Sequence, residues 1–543
     1  MFSKSGTAGT ITIRMYRGLL GDCFLLTHRV GKRSFKALID CGVLQCIGAT
    51  KPATEAALNH MQTVAADLKA HTGGKLDLMI ATHAHYDHLS GFIVAFDILS
   101  QLEIKALWLA WTENLDDPWS NALRQKGVSA RTAIKTLLDE AEAAKGGGRA
   151  DHPLALAADD PRMTALADLM QFYGEIEPVR APGVLAAAAA GPVDLTKTPR
   201  SCEGVIEWLK AKTGAANVRY LEPGEMVEFG VDRSIKAHVL GPPRDIDRLK
   251  QMDPKAGAAK EVYLVDPTDS KLIETVLKFQ AADPARPVLT DLPFSRRFAT
   301  TPDQRRTFET YDLYNGLTED PRATPEERMV LKAEADSRRI DTEWLGSAEA
   351  LALKVDGDVN NTSLALAFEL PDGEVLLFPA DAQVGNWLSW RDQTYPKPKD
   401  KDGPEGVTVD DLLSRVIFYK VGHHASHNAT LREHGLEKMK SPHLAAMIPV
   451  VRAVAAEQKS KTNPKGWSMP YPGLFERLNE LANKRVLTGD GVRAEEKAAF
   501  ADSVFGLRYP KRRGDALWVE LTYPRDPTAR TAPRNTPGNR ARP

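Results

Sequence analysis

Three histidines and an aspartate occupy six positions of the stretch MIATHAHYDHLSGF, residues 79–92. They are His83, His85, Asp87 and His88, in a chain that has only 13 histidines. If a strand ends at His83, His83 and His85 share one face, while Asp87 and His88 begin the next helix. Without a metal, such crowding leaves titratable groups partly desolvated, whereas imidazoles and carboxylates bind divalent cations readily. The spacing therefore predicts a metal site.

A site with two ions needs roughly six to eight ligands, so other residues must contribute. Asp381 ends the apolar strand of LLFPADAQ, and His423 and His424 follow the strand of FYKVGHHAS. Asp40 ends the strand of ALIDCG in the same way. Catalytic groups on a sheet scaffold usually lie where a buried strand meets a loop. We therefore expect these later residues to join the first four.

The elements around these residues alternate between strands and helices. Three strand patterns fill residues 11–42, a helix follows at about 52–70, and the strand LDLMIATH leads into a helix with apolar residues at helical spacing. Later strand patterns include a hairpin around Pro371-Asp372-Gly373. The alternation predicts one layered α/β domain. Three segments form its core (10–115, 216–243 and 346–523), and two helical insertions separate them (116–215 and 244–345).

Composition excludes several classes of protein. Of the 543 residues, 43% are hydrophobic and 26% are charged, as in soluble globular proteins, and the net charge of −1 gives no general attraction for nucleic acid or membranes. The four cysteines form no C-x-x-C pair, which fits a reducing compartment. No secretory signal or apolar run of ~18 residues is present. We expect a cytoplasmic protein without a membrane span, ending in a disordered basic tail at 524–543.

The order of these motifs resembles the metallo-β-lactamase superfamily. Its pattern is H-x-H-x-D-H after a strand, an aspartate ahead of it in LIDCG, a later aspartate that closes a strand, and a histidine after the next strand. More narrowly, GDCFLL, NNTSLALAFE, LLFPAD and KVGHHAS resemble the hydrolase domain of the ComEC type. The resemblance implies a four-layer αββα sandwich with the metal site at the sheet edges, between the two halves.

The resemblance also implies roles for the site residues. His83 and His85 would hold the first metal, Asp87 and His88 the second, and Asp381 would bridge both. Either His423 or His424 would complete the second site, with His423 as the first choice, although the sequence does not separate them. Asp40 would support the loop without binding a metal directly.

The sequence departs from the family pattern at one ligand. The family commonly has a further histidine for the first metal between the opening motif and the bridging aspartate. The histidines in that interval are His152 and His238, and neither closes an apolar strand at the expected place. DGDVNNTS at 356–363 lies there, which leaves Asn361 or Ser363 nearby as neutral oxygen donors. One tightly held ion and one labile ion are therefore expected.

The ligand types indicate hydrolysis by a metal-bound hydroxide, with zinc or manganese as the metal and His85, Asp87 and Asp381 as catalytic residues. The substrate predicted first is a phosphodiester, in nucleic acid or in a nucleotide-derived small molecule. Two alternatives remain open. The same site could hydrolyse a lactone, thioester or amide, or the chain could be a metal-binding effector protein without catalysis.

Four other features have two interpretations each. Trp111, Thr112 and Glu113 could line the pocket or belong to the core. Cys41 is predicted to be a small buried residue and not a ligand, and His427 to support the site or lie on the surface. The arginine pairs within 296–306, between phenylalanines, could bind phosphates and stack on bases, or form a solvated helical face.

Overall fold

The computed structural model describes ten parts of the chain: residues 9–18, 20–44, 51–146, 193–251, 324, 359–396, 406–457, 466–491, 493–510 and 517–524. Within them, most strands belong to two mixed sheets of eight and seven strands. In chain order the strands are β1 Thr10–Tyr16, β2 Cys23–Val30, β3 Arg33–Cys41, β4 Lys75–Leu76, β5 Leu78–Ile80, β6 Glu103–Ile104, β7 Leu107–Ala110, β8 Val218–Leu221, β9 Met226–Phe229, β10 Ile235–Gly241, β11 Ala365–Glu369, β12 Val375–Phe378, β13 Thr394–Tyr395, β14 Val407–Thr408, β15 Val416–Lys420, β16 Ala445–Ile448, β17 Val486–Thr488, β18 Gly506–Arg508 and β19 Trp518–Tyr523.

The first sheet has the order β18-β19-β1-β2-β3-β5-β7-β8. Its half from β18 to β3 is antiparallel, and its half from β3 to β8 is parallel. The turn between β2 and β3 contains Gly31 at φ 60°, a conformation that suits a tight hairpin. Helices connect the parallel strands, because a parallel pair needs a long crossover.

The second sheet has the order β17-β16-β15-β12-β11-β10-β9. Strands β12, β15, β16 and β17 are parallel, while β9 to β12 form an antiparallel meander. The predicted hairpin at Pro371-Asp372-Gly373 is confirmed, since it joins β11 to β12. The loops that follow the four parallel strands all leave the same edge of this sheet.

Helices cover the outer faces of both sheets. The helices are α1 Lys51–Thr72, α2 Tyr86–Leu89, α3 Gly91–Val94, α4 Phe96–Leu99, α5 Pro118–Gly146, α6 Cys202–Thr213, α7 Ile246–Leu249, α8 Val384–Ser389, α9 Val409–Ser414, α10 Arg452–Glu457, α11 Pro472–Leu481 and α12 Ala494–Ala499. Among these, none has both the length and the apolar character that crossing a membrane requires.

Three hydrophobic clusters define the layers. One joins the facing sides of the two sheets, where Phe24 of β2 meets Phe378 of β12 with ring centroids 6.1 Å apart. A second packs α1 and α6 on the outer face of the first sheet. A third packs α8, α9 and α11 on the outer face of the second. The layer order is helix, sheet, sheet, helix, and the predicted α/β class is confirmed.

The packing extends the core beyond the segments that the sequence indicated. Helix α6 falls within the predicted first insertion, yet Trp208 packs against Phe92 and Phe96, with ring centroids 6.1 and 5.4 Å apart. The apolar face of α6 therefore belongs to the outer layer of the first sheet. Helix α5 also falls in this insertion and is helical, as expected. Most of the second insertion and the tail from 525 onward lie outside the described residues.

Candidate metal centre

The H-x-H-x-D-H motif lies in the loop and helix that follow β5. The strand ends at Ile80, three residues before the predicted end at His83. His83 and His85 precede α2, and Asp87 and His88 lie within it. All four side chains are buried. Backbone N–H groups donate from Asp22 to the Asp87 carbonyl at 2.9 Å and from His88 to the His85 carbonyl at 3.1 Å, which fixes this corner of the sheet.

His83 and His85 form a pair of neutral imidazoles. His83 Nε2 lies 3.1 Å from His85 Nδ1, and the ring centroids are 4.7 Å apart. Burial lowers the pKa of His85 to about 3 and the pKa of His83 well below its ordinary value. Both rings are therefore neutral at physiological pH, the state in which imidazole offers a lone pair to a cation.

Asp40 holds the ring of His88. His88 Nδ1 donates to Asp40 Oδ2 at 2.8 Å, and Asp40 also accepts from the backbone N and the Oγ1 of Thr82, at 2.9 and 2.7 Å. His88 Nε2 consequently faces Asp381 Oδ2 at 3.1 Å. A carboxylate behind the far nitrogen of a histidine is the usual way of orienting a metal ligand. Burial acts to lower the pKa of His88, but the charges of Asp381 and three further aspartates outweigh it and raise this pKa.

Asp381 follows β12 and receives hydrogen bonds on one oxygen. Its Oδ1 accepts from the backbone N of His423 at 2.8 Å and from Lys420 Nζ at 3.1 Å. Its Oδ2 faces His88. Burial opposes ionisation of this carboxyl group, yet the charges of His88 and Lys420 hold its pKa well below the usual range. Asp381 is therefore an ionised carboxylate with one oxygen turned toward the histidines.

The turn after β15 separates the two candidate histidines. His424 Nδ1 donates to the carbonyl of Pro449 at 2.8 Å, and its Nε2 lies 2.8 Å from Asp87 Oδ2. The ring of His423 is half-buried and bonds to Ser426 Oγ at 2.8 Å. Both histidines have left-handed backbone, with φ of 45° and 50°, which is uncommon for residues other than glycine and occurs at functional turns. The structure thus brings the ring of His424, and the backbone of His423, to the carboxylates.

Three triplets of buried donors form within the described residues, each with its ligand atoms within 4.8 Å of one another. They are His83, His88 and Asp381; Asp87, Asp381 and His424; and Asp22, Asp40 and His88. Asp381 is shared by the first two triplets. Asp87 Oδ1 is buried and has no hydrogen-bond partner in the described part of the chain. A buried carboxylate oxygen without a donor, in a cluster of histidines, fits a cation.

Sequence reasoning missed Asp22 and Lys420. The Nζ of Lys420 contacts Asp22 Oδ2 directly and also donates to the carbonyl of Ala380 at 3.1 Å. Burial acts to lower the pKa of this lysine, but the charges of Asp22 and Asp381 outweigh it and raise the pKa. The signal was a lysine inside the apolar run VIFYK, since a lysine at a strand position buried on both sides needs a carboxylate partner.

Asn361 and Ser363 support the loop of Asp381, whereas the sequence suggested them as oxygen donors to the first metal. Asn361 Oδ1 accepts from the backbone N of Gln383 and Asn386 at 3.2 and 3.3 Å, and its Nδ2 donates to the carbonyl of Gln251. Ser363 Oγ accepts from the backbone N of Asp381 at 3.2 Å. The amide of Asn361 is therefore committed to backbone groups and does not replace the absent histidine.

The other candidates belong to the core or lie elsewhere. Trp111 is fully buried and donates to the carbonyl of Pro242 at 3.0 Å, so it packs and does not line an open pocket. Cys41 is buried as predicted, 3.7 Å from the sulfur of Cys23. His238 pairs with Glu369 at 2.8 Å, away from the aspartates. His427 is in none of the three triplets and its ring lies near Tyr471. His152 and the arginines of 296–306 lie outside the described residues.

The donors come from separate parts of the chain and converge at one sheet edge. Asp40 comes from β3, the H-x-H-x-D-H motif follows β5, Asp381 follows β12 and His424 follows β15. A search of protein-family models, curated proteins and solved structures found no match to this chain. The function of the chain is therefore inferred from the geometry of these residues.

Proposed function

We propose that the chain is a metal-dependent hydrolase that cleaves phosphodiesters, built on an αββα sandwich of the metallo-β-lactamase type. The observation that carries this proposal is the convergence of five buried donors at one sheet edge, in two triplets that share the Asp381 carboxylate, with His85 beside His83. A shared carboxylate is what two neighbouring cations require. Two such cations suit phosphoryl transfer because both the attacking and the leaving oxygen can be stabilised.

The donor sets suggest unequal sites for zinc or manganese. His83, His85 and Asp381 would hold one cation. Asp87, His88 and His424, again with Asp381, would hold the other, since His88 Nε2 lies 3.6 Å from Asp87 Oδ2 and 3.1 Å from Asp381 Oδ2. The second set has one more protein ligand than the first. It would therefore bind its cation more tightly, in keeping with one firm and one labile ion.

A bound divalent cation supplies a Lewis acid that lowers the pKa of water to about 7 and offsets charge on a phosphoryl oxygen. The protein residues supply orientation and proton handling. Asp87 would hold the cation through one carboxylate oxygen, and its other oxygen would accept a proton from the attacking water. Asp40 and the Pro449 carbonyl keep the Nε2 atoms of His88 and His424 turned inward.

A substrate comparison tests the proposal. Purified protein is stripped with a chelator, reloaded with zinc or manganese, and assayed on bis(p-nitrophenyl) phosphate and on an acyl thioester. We expect phosphodiester cleavage to disappear with the metal, to return on reloading, and to exceed thioester cleavage at least about tenfold. Faster thioester cleavage would favour the acyl hydrolase. Full metal content with neither activity would favour an effector protein.

Metal uptake should release protons. Without a cation, carboxylates raise the pKa of both His88 and His424 despite burial, which favours the charged form of both rings. Each ring must lose its Nε2 proton to bind a cation, so protons should leave and apparent affinity should rise with pH. Titration calorimetry in buffers of different ionisation enthalpy counts these protons. Uptake without proton release would contradict the assignment of His88 and His424 as ligands.

A further inference from the structure

A buried guanidinium group lies at the sheet edge that also carries the candidate metal centre. Arg17 directly follows β1 and is only 2% exposed. In the part of the chain that the structure describes, its Nε and Nη2 atoms are buried and meet no hydrogen-bond acceptor. Leaving charged donors buried and unsatisfied costs several kcal/mol. Such a group in a folded protein therefore indicates an acceptor from outside the described residues, such as a bound anion.

The two unsatisfied atoms have the geometry of an oxyanion receptor. Nε and Nη2 form one edge of the guanidinium, and their N–H bonds run parallel, so that together they match two oxygens of a phosphate or carboxylate. Burial lowers the pKa of Arg17 to about 10, which leaves the side chain charged at neutral pH. The edge is therefore a rigid, charged pair of donors without an acceptor.

The carboxylates near Arg17 are engaged by other arginines. Asp490 Oδ1 accepts from the backbone N of Arg452 at 2.8 Å, and Arg452 Nε lies 3.7 Å from Oδ2. Both oxygens of Glu496 accept from Arg493, at 2.9 and 2.8 Å. These five residues, the Arg17 cluster, combine three guanidinium groups with two carboxylates. The net charge is positive, and Arg17 is the arginine of the three that forms no ion pair within the described residues.

The Arg17 cluster lies at the same sheet edge as the candidate metal centre. Asp22 follows Arg17 by five residues, and Arg452 and Asp490 belong to the loops after β16 and β17, on the sheet edge that also carries Asp381 and His424. Three hydrogen bonds connect these loops: Gly18 N to Gly489 O at 3.3 Å, Gly489 N to Val450 O at 2.8 Å, and His424 Nδ1 to Pro449 O at 2.8 Å.

We propose that the Nε and Nη2 edge of Arg17 binds a second, non-reacting phosphate group of the substrate, next to the phosphodiester that is cleaved. This inference rests on the proposed function and narrows it to substrates with two phosphates, such as a 5′-phosphorylated dinucleotide. Phosphate is preferred over carboxylate because it keeps a charge of at least −1 and offers more than two oxygens, so that the nearby Arg452 can share it.

Phosphate binding is measured first, on metal-free protein, where no cation competes for the anion. We expect inorganic phosphate to raise the unfolding midpoint of the wild type, and Arg17→Gln to weaken that binding at least about fivefold. Arg508→Gln is the matched control, since the Arg508 side chain is 73% exposed on β18. Equal phosphate binding by Arg17→Gln, or an equal effect of acetate on the wild type, would overturn the proposal.

Kinetics on two substrates then assign the bound group. With 5′-phosphorylated thymidine dinucleotide, Arg17→Gln should raise KM about tenfold. The KM of Arg17→Lys should lie between those of the wild type and Arg17→Gln, because lysine keeps the charge but lacks the paired donors. With bis(p-nitrophenyl) phosphate, which has one phosphate, kcat/KM should change less than twofold. Equal losses on both substrates, or a lower unfolding midpoint of Arg17→Gln without phosphate, would show a structural role and overturn the proposal.

The binding and kinetic measurements together distinguish failure of this inference from failure of the proposed function. If the wild type cleaves neither substrate but phosphate binding still depends on Arg17, the anion site stands and the hydrolase assignment fails. If the wild type cleaves both substrates and Arg17→Gln alters neither the binding nor the dinucleotide KM, the hydrolase assignment stands and the anion site fails.

Discussion

The variant His85→Ala should lower kcat/KM for bis(p-nitrophenyl) phosphate at least about 10³-fold, equivalent to roughly 4 kcal/mol of lost transition-state stabilisation. The first donor set, His83, His85 and Asp381, would be left with two protein ligands. The cation of that site would be lost or displaced, because burial keeps His83 and His85 neutral and each ring contributes one lone pair. Activity and metal content per chain are measured together after reloading with zinc or manganese.

The control for this variant is His434→Ala. His434 is a half-buried histidine that contacts Arg391 and belongs to neither of the two proposed donor sets. The His434→Ala variant should have the activity and the metal content of the wild type. His85→Ala should retain its fold and lose about one metal equivalent, while His85→Gln tests whether loss of ring volume alone matters. Unchanged turnover in His85→Ala would refute the catalytic role of this centre.

Much of the candidate site could be predicted from sequence because its residues are of rare types at informative places. His83, His85, Asp87 and His88 are close in the chain, so that one loop and one short helix bring them together. Asp381 and His424 are distant in sequence, but each follows an apolar strand. Strands β12 and β15 are parallel neighbours, and their ends must therefore meet at one sheet edge.

Other parts depended on details that no local pattern contains. The choice between His423 and His424 depends on a left-handed turn and on the carbonyl of Pro449, 25 residues further along the chain. The sequence makes Asn361 a plausible donor, but in the structure its amide oxygen accepts from backbone groups of the Asp381 loop. Helix α6 belongs to the core because Trp208 fills a gap between helices, which its sequence surroundings do not indicate.

The pairing of Asp22 with Lys420 also joins residues that are far apart in the sequence. Replacing Lys420 should cause the largest loss of stability among the variants considered. Lys420→Met should lower the free energy of unfolding of the metal-free protein by about 3–5 kcal/mol, because two buried carboxylates, Asp22 and Asp381, lose the ammonium group that they share. Urea denaturation at neutral pH in the presence of a chelator measures this loss. Lys438→Met is the control, since Lys438 forms a partly exposed pair with Asp410 and should cost about 0–1 kcal/mol.

The pH dependence of that loss distinguishes a charge effect from a packing effect. Lys420 and His88 depress the pKa of Asp381 in the wild type, so this carboxylate stabilises the fold above its ordinary pKa of 3.8 and loses that contribution as pH falls. In Lys420→Met the carboxylates gain stability by taking up protons. The difference between the two proteins should therefore shrink as pH falls toward 4. A constant difference would mean that packing of the lysine stem, and not its charge, is what the protein loses.

A double variant completes the test of this buried ion pair. Asp22→Asn in the Lys420→Met background removes the carboxylate that has lost its closest partner and retains His88 Nδ1 at 3.8 Å, while Asp381 still faces His88 Nε2. We expect the double variant to recover at least about 1 kcal/mol relative to Lys420→Met, since removing both members of a buried pair costs less than removing one. Additive losses in the two single variants would contradict a direct interaction between the lysine and Asp22. Recovery would show that Lys420 stabilises the metal-free protein by pairing with the buried carboxyl groups of Asp22 and Asp381.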